Sequence, residues 1–177
     1  FSLLSRWLSV QGEVVQHSPL QGSSQHHTPL LSLPRLFNTK LGTIPNVLPY
    51  LRAPSEPPPH LQVPPPHGGL AVGLVWASDP ANRTMYRHKS IPLATVIPRL
   101  LDLVDLDLID LHCLQVGNDA LQLDPWRQHP RIIDWSPHLT NFEATAYVVN
   151  QLDLVISVDT AVAHLAAALQ KPTWLLL

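Results

Sequence analysis

The feature that most constrains the fold lies in residues 153–177, whose sequence is DLVISVDTAVAHLAAALQKPTWLLL. Residues 154–158 are almost entirely apolar and rich in β-branched side chains, which is typical of a strand covered on both faces. Residues 162–169 place apolar side chains at helical spacing, and Pro172 cannot continue that helix. Residues 174–177 predict the next buried strand. The segment therefore predicts a right-handed strand–helix–strand unit in a parallel sheet.

The turn between the first strand and the helix carries the functional interest. Asp159 and Thr160 have the short polar side chains that cap helix N-termini. A helix that begins at the carboxyl end of a parallel strand offers unpaired N–H groups and a positive dipole end, which suit an anionic ligand. Ala161 and Ala163 are small enough to let a phosphate approach the backbone. The residues alone are equally consistent with a plain helix cap.

The run VISVDTAVAHLAAALQKPTWLLL resembles the nucleotide-sugar half of the glycosyltransferase family that includes the bacterial ADP-heptose:lipopolysaccharide heptosyltransferases. It is similar above all to relatives that carry this module behind tetratricopeptide repeats. The resemblance implies a GT-B-like α/β fold, in which the donor lies between two doubly wound parallel-sheet domains. It also implies that the donor diphosphate meets the turn and the first helical residues: Asp159, Thr160, Ala161, Val162, Ala163 and His164.

For two side chains of this predicted site, the sequence is compatible with more than one role. A carboxylate repels phosphate, so Asp159 is expected to orient the turn or to bind a sugar hydroxyl. His164 could contact phosphate when protonated, or it could simply pack against the turn. Both alternatives stay open at this point.

Charged residues in a second segment extend the predicted site. Residues 78–90 are polar and follow the apolar run LAVGLVWA, so they predict a loop at the carboxyl end of a buried strand. The family has a similar VGLVWAGNP…RSIPL pattern, which appears here as VGLVWASDP…KSIPL. Arg87 and Lys89 are therefore expected to help bind the diphosphate, although Lys89 lacks the forked donor geometry of the family's arginine. Gly117, after HCLQV, is expected to bring backbone close to the ligand.

The remaining pattern from residue 70 onward alternates helices and strands, which predicts a doubly wound parallel sheet. We expect helices over 92–103 and 141–152 and a short strand over 131–135. The inner face of the second helix is expected to hold Phe142, Thr145, Ala146 and Val149. The aspartates between residues 102 and 110 alternate with apolar residues and lack a glycine turn, so they predict a helix end and not a metal site.

The proline-rich stretch 53–68 predicts a linker between two domains. Residues 1–52 are then a partial N-terminal α/β domain, with a helix over 1–8, a strand-like LLSL at 30–33 and a short helix over 34–41. Residues 69–177 are the donor-binding domain, truncated at its C-terminus. The histidines in the polar stretch 17–29 are irregularly spaced, so we expect a loop there and no metal site.

Composition narrows the class of protein. The chain has 177 residues, is 45% hydrophobic and carries a net charge of -2, which gives no basic surface for nucleic acid. No apolar run is long enough to span a bilayer. Cys113 lies in an apolar run and indicates a small core residue in a reducing compartment, so we expect a cytoplasmic protein. The chain starts at Phe1 and stops in mid-strand at Leu177, which leads us to expect part of a larger protein.

The predicted function is transfer of a sugar from a nucleotide-diphosphate donor to an acceptor hydroxyl. Dinucleotide and P-loop glycine patterns are absent from the sequence, and no cofactor is expected. In the family the general base is a carboxylate near the start of the N-terminal domain, a segment that we do not recognise here, so we assign no catalytic residue. A sugar-nucleotide epimerase and a non-catalytic remnant or interaction domain remain alternatives. The sugar, the nucleobase and the acceptor are not determined by the sequence.

Overall fold

A computed structural model of the chain describes residues 29–44, 46–65 and 67–177. At its centre lies a five-stranded sheet in which every strand pair is parallel. The strands are β1 (Leu70–Val75), β2 (Ile109–Cys113), β3 (Ile132–Asp134), β4 (Leu154–Val158) and β5 (Thr173–Leu176). Their spatial order is β3-β2-β1-β4-β5, with the first strand in the middle. The predicted α/β class with a parallel sheet is thus confirmed.

Five α-helices accompany the described strands. They are α1 (Leu33–Leu36), α2 (Arg83–Lys89), α3 (Leu93–Asp105), α4 (Phe142–Gln151) and α5 (Ala161–Ala168). Three 3₁₀ segments add Leu30–Ser32, Leu41–Thr43 and Asn118–Trp126. The helices predicted over 92–103 and 141–152 are confirmed, with Pro92 and Asn141 as N-cap residues. The described helices include none that is long and apolar enough to cross a membrane.

Successive side chains of each strand point to opposite faces of the sheet, and helices cover the apolar side chains on both faces. On one face Leu74 and Trp76 pack with Ile97 and Val104 of α3 in one buried cluster. On the other face the side chains of β1 and β4 pack with α4 and α5. The members of that second cluster include Val75, Leu114, Trp135, Val149, Val155, Leu165 and Ala166. The two clusters fix the sheet between two layers of helices.

Several local predictions are wrong. The LLSL segment, predicted as a strand, is a 3₁₀ turn that runs into the four-residue helix α1, because Pro34 sits at the start of that helix where proline is tolerated. Phe142, predicted on the inner face of α4, is 47% exposed, since it occupies the first helical turn beyond the core. Trp174, predicted in a buried strand, is 63% exposed because β5 has a described neighbour on one side only.

The proline-rich stretch is attached to the α/β unit at several points. Leu51 and Leu61 are buried in the cluster under α4 and α5. The backbone N–H groups of Tyr50 and Leu51 both donate to the carbonyl oxygen of Ala168, each at 3.2 Å. These contacts lie on either side of residues 53–60, so the predicted linker follows the surface of the domain. The division of the chain into domains stays a prediction, and the predicted helix over 1–8 and the histidine-containing loop fall outside the described residues.

Candidate functional site

The strand order creates a topological switch point between β1 and β4. From β1 the chain moves outward to β2 and β3, then returns to the other side of β1 to form β4 and β5. The connections that leave the carboxyl ends of β1 and β4 therefore run in opposite directions. In open parallel sheets this divergence opens a crevice, which is where ligands bind.

An ion pair lies at this switch point in the structure. Lys89, at the end of α2, places its Nζ 2.5 Å from Oδ2 of Asp159, although the two residues are 70 positions apart. Both side chains are about one-third exposed, at 31% and 32%. The hydrogen bond and charge of Lys89 hold the pKa of the Asp159 carboxyl below its ordinary value. The structure thus brings together two residues that the resemblance singled out separately.

His164 extends the same cluster. Its Nε2 lies 3.5 Å from Oδ1 of Asp159, and its side chain is 80% exposed. His164 is therefore largely open to solvent beside the Asp159 turn.

The start of α5 is not capped by a side chain, contrary to the prediction. Thr160 occupies the N-cap position, but its hydroxyl lies 3.0 Å from the hydroxyl of Ser157 and not on a helical N–H group. Ser157 is fully buried at the end of β4 and donates to the carbonyl oxygen of Val158. This neighbour competes for the threonine side chain, so the helix begins without its expected cap.

The missing cap leaves backbone donors open. Among the described residues, no acceptor is present for the N–H groups of Ala161, Val162 and Ala163. The first N–H groups of a helix always lack a partner within the helix itself. They lie at the positive end of the helix dipole, where unpaired N–H groups are suited to bind an anion. Ala161 is exposed, whereas Ala163 is 6% exposed and faces the core.

The basic segment differs from its prediction. Residues 83–89 form α2 instead of a continuous loop, because the side chain of Asn82 accepts a hydrogen bond from the N–H of Met85 at 3.1 Å and caps the helix. The hydroxyl of Tyr86 donates to Asp119 at 2.7 Å, which ties α2 to the 3₁₀ segment. This tie fixes the end of the helix that carries Lys89.

The other two predicted ligand residues are less closely placed. Arg87 is exposed on α2, and the described structure gives it no contact with the turn at Asp159. Gly117 has a φ of +78° and nothing within 4 Å of the position of a Cβ atom, so its backbone borders open space. It follows β2 at the carboxyl edge of the sheet. Neither residue is joined to the ion pair.

A hollow beside the turn was not anticipated from the sequence. It has a volume of about 260 Å³ and lies where the chain leaves β2, where α4 begins and where α5 begins. Val162 belongs both to this hollow and to the open start of α5. The remaining lining is mainly apolar and comprises Leu114, Val116, Leu139, Thr140, Asn141, Phe142 and Thr145. The helix cap at Asn141, whose side chain accepts from the N–H of Ala144, was the one sequence signal that could have placed it.

Gln115 is a residue of structural importance near the crevice that the sequence analysis did not single out. It is 5% exposed, and its Oε1 accepts hydrogen bonds from the N–H groups of Trp76 and Ala77 at 3.2 and 2.8 Å. These bonds tie the carboxyl end of β1 to the chain that leaves β2. A glutamine in the otherwise apolar run HCLQV could have indicated such a role. Gln115 thus supports one wall of the crevice.

Metal and thiol chemistry find no support in the described part of the chain. Within those residues, no group of three or more His, Cys, Asp or Glu side chains is placed to hold a metal ion. Cys113 is buried in the sheet, as predicted, and burial raises the pKa of its thiol to about 12. A thiol with that pKa stays protonated and is a poor nucleophile.

Comparison with known proteins gives one finding at this site. The sequence profile of Glycosyltransferase family 9 (heptosyltransferase) matches residues 137–175. The matched segment holds α4, β4, the Asp159 turn, α5 and most of β5. Searches of curated proteins and of solved structures found no match.

The matched segment covers a short part of the chain, but it is the part that contains the open helix start. The match supports a glycosyltransferase-like function in general terms. The association with tetratricopeptide repeats and the placement within the family stay predictions.

Proposed function

We propose that the chain provides the donor-binding part of a glycosyltransferase, and that a nucleotide-diphosphate sugar binds at the crevice between β1 and β4. The observation that carries this proposal is a coincidence of position. The segment that matches the glycosyltransferase family contains the helix start with open N–H groups, and the structure places that start at the switch point. The GT-B-like arrangement, with a partial N-terminal domain in residues 1–52 and a proline-rich linker in 53–68, is part of the proposal.

The diphosphate occupies the open start of α5. The N–H groups of Ala161, Val162 and Ala163 donate to its oxygens, and Lys89 neutralises part of its charge. Thr160 can turn its hydroxyl from Ser157 toward the phosphate. On binding, Lys89 leaves the Asp159 carboxylate and pairs with phosphate oxygens instead. The Lys89–Asp159 ion pair is thereby replaced by a Lys89–phosphate ion pair.

Asp159 and His164 border the sugar side of the diphosphate. Freed from Lys89, the Asp159 carboxylate can accept a hydrogen bond from a sugar hydroxyl, which was one of its two predicted roles. His164, largely exposed beside it, can donate to a phosphate oxygen when protonated. Arg87 and Gly117 remain outer candidates, on α2 and at the end of β2 respectively.

The nucleoside lies in the hollow next to the helix start. Its walls from Leu114, Val116 and Phe142 offer apolar surface to a flat base, and Thr140 and Asn141 offer polar atoms at one side. Because Val162 borders both the hollow and the diphosphate position, the two subsites are contiguous. A single nucleotide can therefore fill both.

The chemical step is sugar transfer to an acceptor hydroxyl. As the glycosidic bond to the diphosphate breaks, negative charge grows on the leaving phosphate, where the open N–H groups and Lys89 stabilise it. The acceptor hydroxyl must lose a proton to a general base. We assign no base among the described residues.

Isothermal titration calorimetry with ADP- and UDP-sugars tests the proposal. Lys89→Met should weaken binding, whereas Arg87→Met removes an equal charge from the same helix and should have a smaller effect.

Incubation with labelled donor and candidate acceptors distinguishes glycosyl transfer from the alternative functions. Transfer supports the glycosyltransferase, conversion of the sugar alone indicates an epimerase, and binding without turnover indicates a non-catalytic remnant. Absence of binding to every nucleotide-sugar and nucleoside diphosphate tried overturns the proposal.

A further inference from the structure

A second cavity lies on the opposite edge of the sheet from the crevice. It has a volume of about 220 Å³ and is formed where β1 and β2 begin, where α4 ends and where the proline-rich stretch crosses the sheet. None of its lining residues belongs to the proposed donor site. We refer to it as the amino-edge cavity.

Residues of the proline-rich stretch border the amino-edge cavity on one side. Val63 and Pro64 form part of it, and His67 follows them along the chain. The N–H of His67 donates to Oδ2 of Asp110 at 3.2 Å, and Nη2 of Arg131 donates to the carbonyl oxygen of His67 at 3.3 Å. The backbone of His67, at one side of the cavity, is therefore tied to the sheet.

His112 supplies a fixed hydrogen-bond donor to the cavity. Its Nδ1 accepts a hydrogen bond from the indole N–H of Trp135 at 3.0 Å, so the proton of the neutral ring resides on Nε2. Nε2 has no partner among the described residues and is not enclosed by protein atoms. Burial lowers the pKa of His112 to about 4, although Asp110 and Asp153 act in the opposite direction. The ring is consequently neutral, with a donating Nε2–H, throughout the physiological pH range.

Two further polar groups border the same space. Oδ2 of Asp153 accepts the N–H of Ala71 at 2.8 Å, which leaves Oδ1 without a partner in the described part of the chain. The amide of Gln151 likewise has no partner among the described residues. Asp110 also lines the cavity, but its oxygens are already engaged by Arg131 and His67. The cavity thus offers one donor, one acceptor and one amide that can act as either.

We propose that the amino-edge cavity binds a neutral polyhydroxylated ligand the size of one sugar ring. Neighbouring hydroxyl groups can accept from His112 and donate to Asp153, while a C–H face packs on Val63 and Pro64. The carboxylate of Asp153 opposes an anion, and a purely apolar ligand would leave the polar groups unpaired. This site is separate from the donor crevice, which selects a charged diphosphate at the other edge of the sheet.

Nuclear magnetic resonance of the whole chain with ¹⁵N-labelled histidine rings tests this proposal. Glucose, galactose and N-acetylglucosamine are titrated one at a time as probes. With at least one of them, the His112 ring resonances should shift and saturate at millimolar concentration, while those of His164 stay in place. Failure of all three sugars to produce a saturable shift at His112, or a shift at His164 alone, overturns the proposal.

Matched variants separate binding from folding. Gln151→Ala removes a side chain that is exposed and unpaired within the described chain, so it should weaken the sugar several-fold without changing the unfolding midpoint. Gln128→Ala changes an exposed glutamine outside the cavity and should leave the sugar affinity unaltered. Equal affinities in the two variants would contradict the assigned site. Because the lining of the amino-edge cavity shares no residue with the crevice, this outcome is independent of nucleotide-sugar binding.

Discussion

Each of the two edges of the sheet carries an ion pair, but one pair is buried and the other is partly exposed. At the amino edge, the buried Asp110 is paired with Arg131 at 2.9 Å and also accepts the N–H of His67. At the carboxyl edge, Lys89 and Asp159 are paired with each other but are one-third exposed, beside N–H groups that lack acceptors. The first arrangement is complete without a ligand, whereas the second leaves donors open. The Asp110–Arg131 pair therefore stabilises the fold, whereas Lys89 and Asp159 lie beside groups that a ligand could still reach.

The largest expected effect comes from breaking the buried pair at the amino edge. Asp110→Ala removes the buried partner of the Arg131 guanidinium and of the His67 N–H and leaves Arg131 only the exposed Asp107, so we expect a loss of about 3 kcal/mol in the free energy of unfolding. Urea denaturation measures it. Asp102→Ala, at an exposed position of α3, is the control and should change stability by less than about 0.5 kcal/mol. Equal effects of the two variants would show that the Asp110–Arg131 pair does not stabilise the fold.

The next effect concerns the pH dependence that His112 gives to the fold. Its pKa is lowered to about 4 in the folded state and is about 6.5 when unfolded, so the unfolded chain binds a proton first as the pH falls. Stability that is complete above about pH 6.5 should decline by roughly 3 kcal/mol as the pH falls to 4. In thermal unfolding, the wild type should therefore lose more stability between pH 7.5 and pH 4.5 than His112→Gln does. A constant difference between them would refute the assignment.

At the carboxyl edge the comparison predicts an effect on binding and little on stability. Lys89→Met should lower the affinity for a nucleoside diphosphate by roughly tenfold to a hundredfold, the scale of a charged hydrogen bond. Its unfolding midpoint should hardly move, because partly exposed ion pairs contribute little to stability. Calorimetry and denaturation of the same preparations measure both quantities. A variant that loses stability but keeps its affinity would reverse the proposed roles of the two edges.

The smallest effect belongs to Asp159. Because Lys89 lowers its pKa, the carboxylate contributes stability that is present above its ordinary pKa of about 4 and is lost as the pH falls through the lowered value. The difference in stability between wild type and Asp159→Asn should therefore be small at pH 7 and vanish in acid. Denaturation curves across that range check the sign. A difference that grows as the pH falls would contradict the ion pair.

The local pattern of the chain was sufficient to predict most of the parallel sheet. Apolar β-branched runs and amphipathic segments are properties of neighbouring residues, so the strand–turn–helix unit around Asp159 could be recognised directly. The helix α2 was missed because the polar composition of residues 78–90 suggested a loop, although Asn82 provides a helix cap. The exposure of Trp174 depends on what lies beyond β5, which periodicity does not contain.

The site was only partly predictable, for a different reason. The resemblance singled out Lys89 and Asp159 separately, but their pairing depends on the strand order, which brings residues 70 positions apart into contact. The diversion of the Thr160 hydroxyl to Ser157 depends on a side-chain rotamer and could not be read from the letters DTAVAH. The hollow at Val162 combines three connections that meet only in the folded chain.

Whether the carboxyl edge of the sheet is the donor site is tested most directly by titrating the ¹⁵N-labelled chain with ADP and UDP and following its amide resonances. If the carboxyl edge is the donor site, the N–H resonances of Ala161, Val162 and Ala163 should show the largest saturable shifts. The N–H resonances of His67 and Ala71, whose acceptors at the amino edge are already in place, should not move. Saturable shifts confined to the amino edge, or none with either nucleotide, would contradict the account.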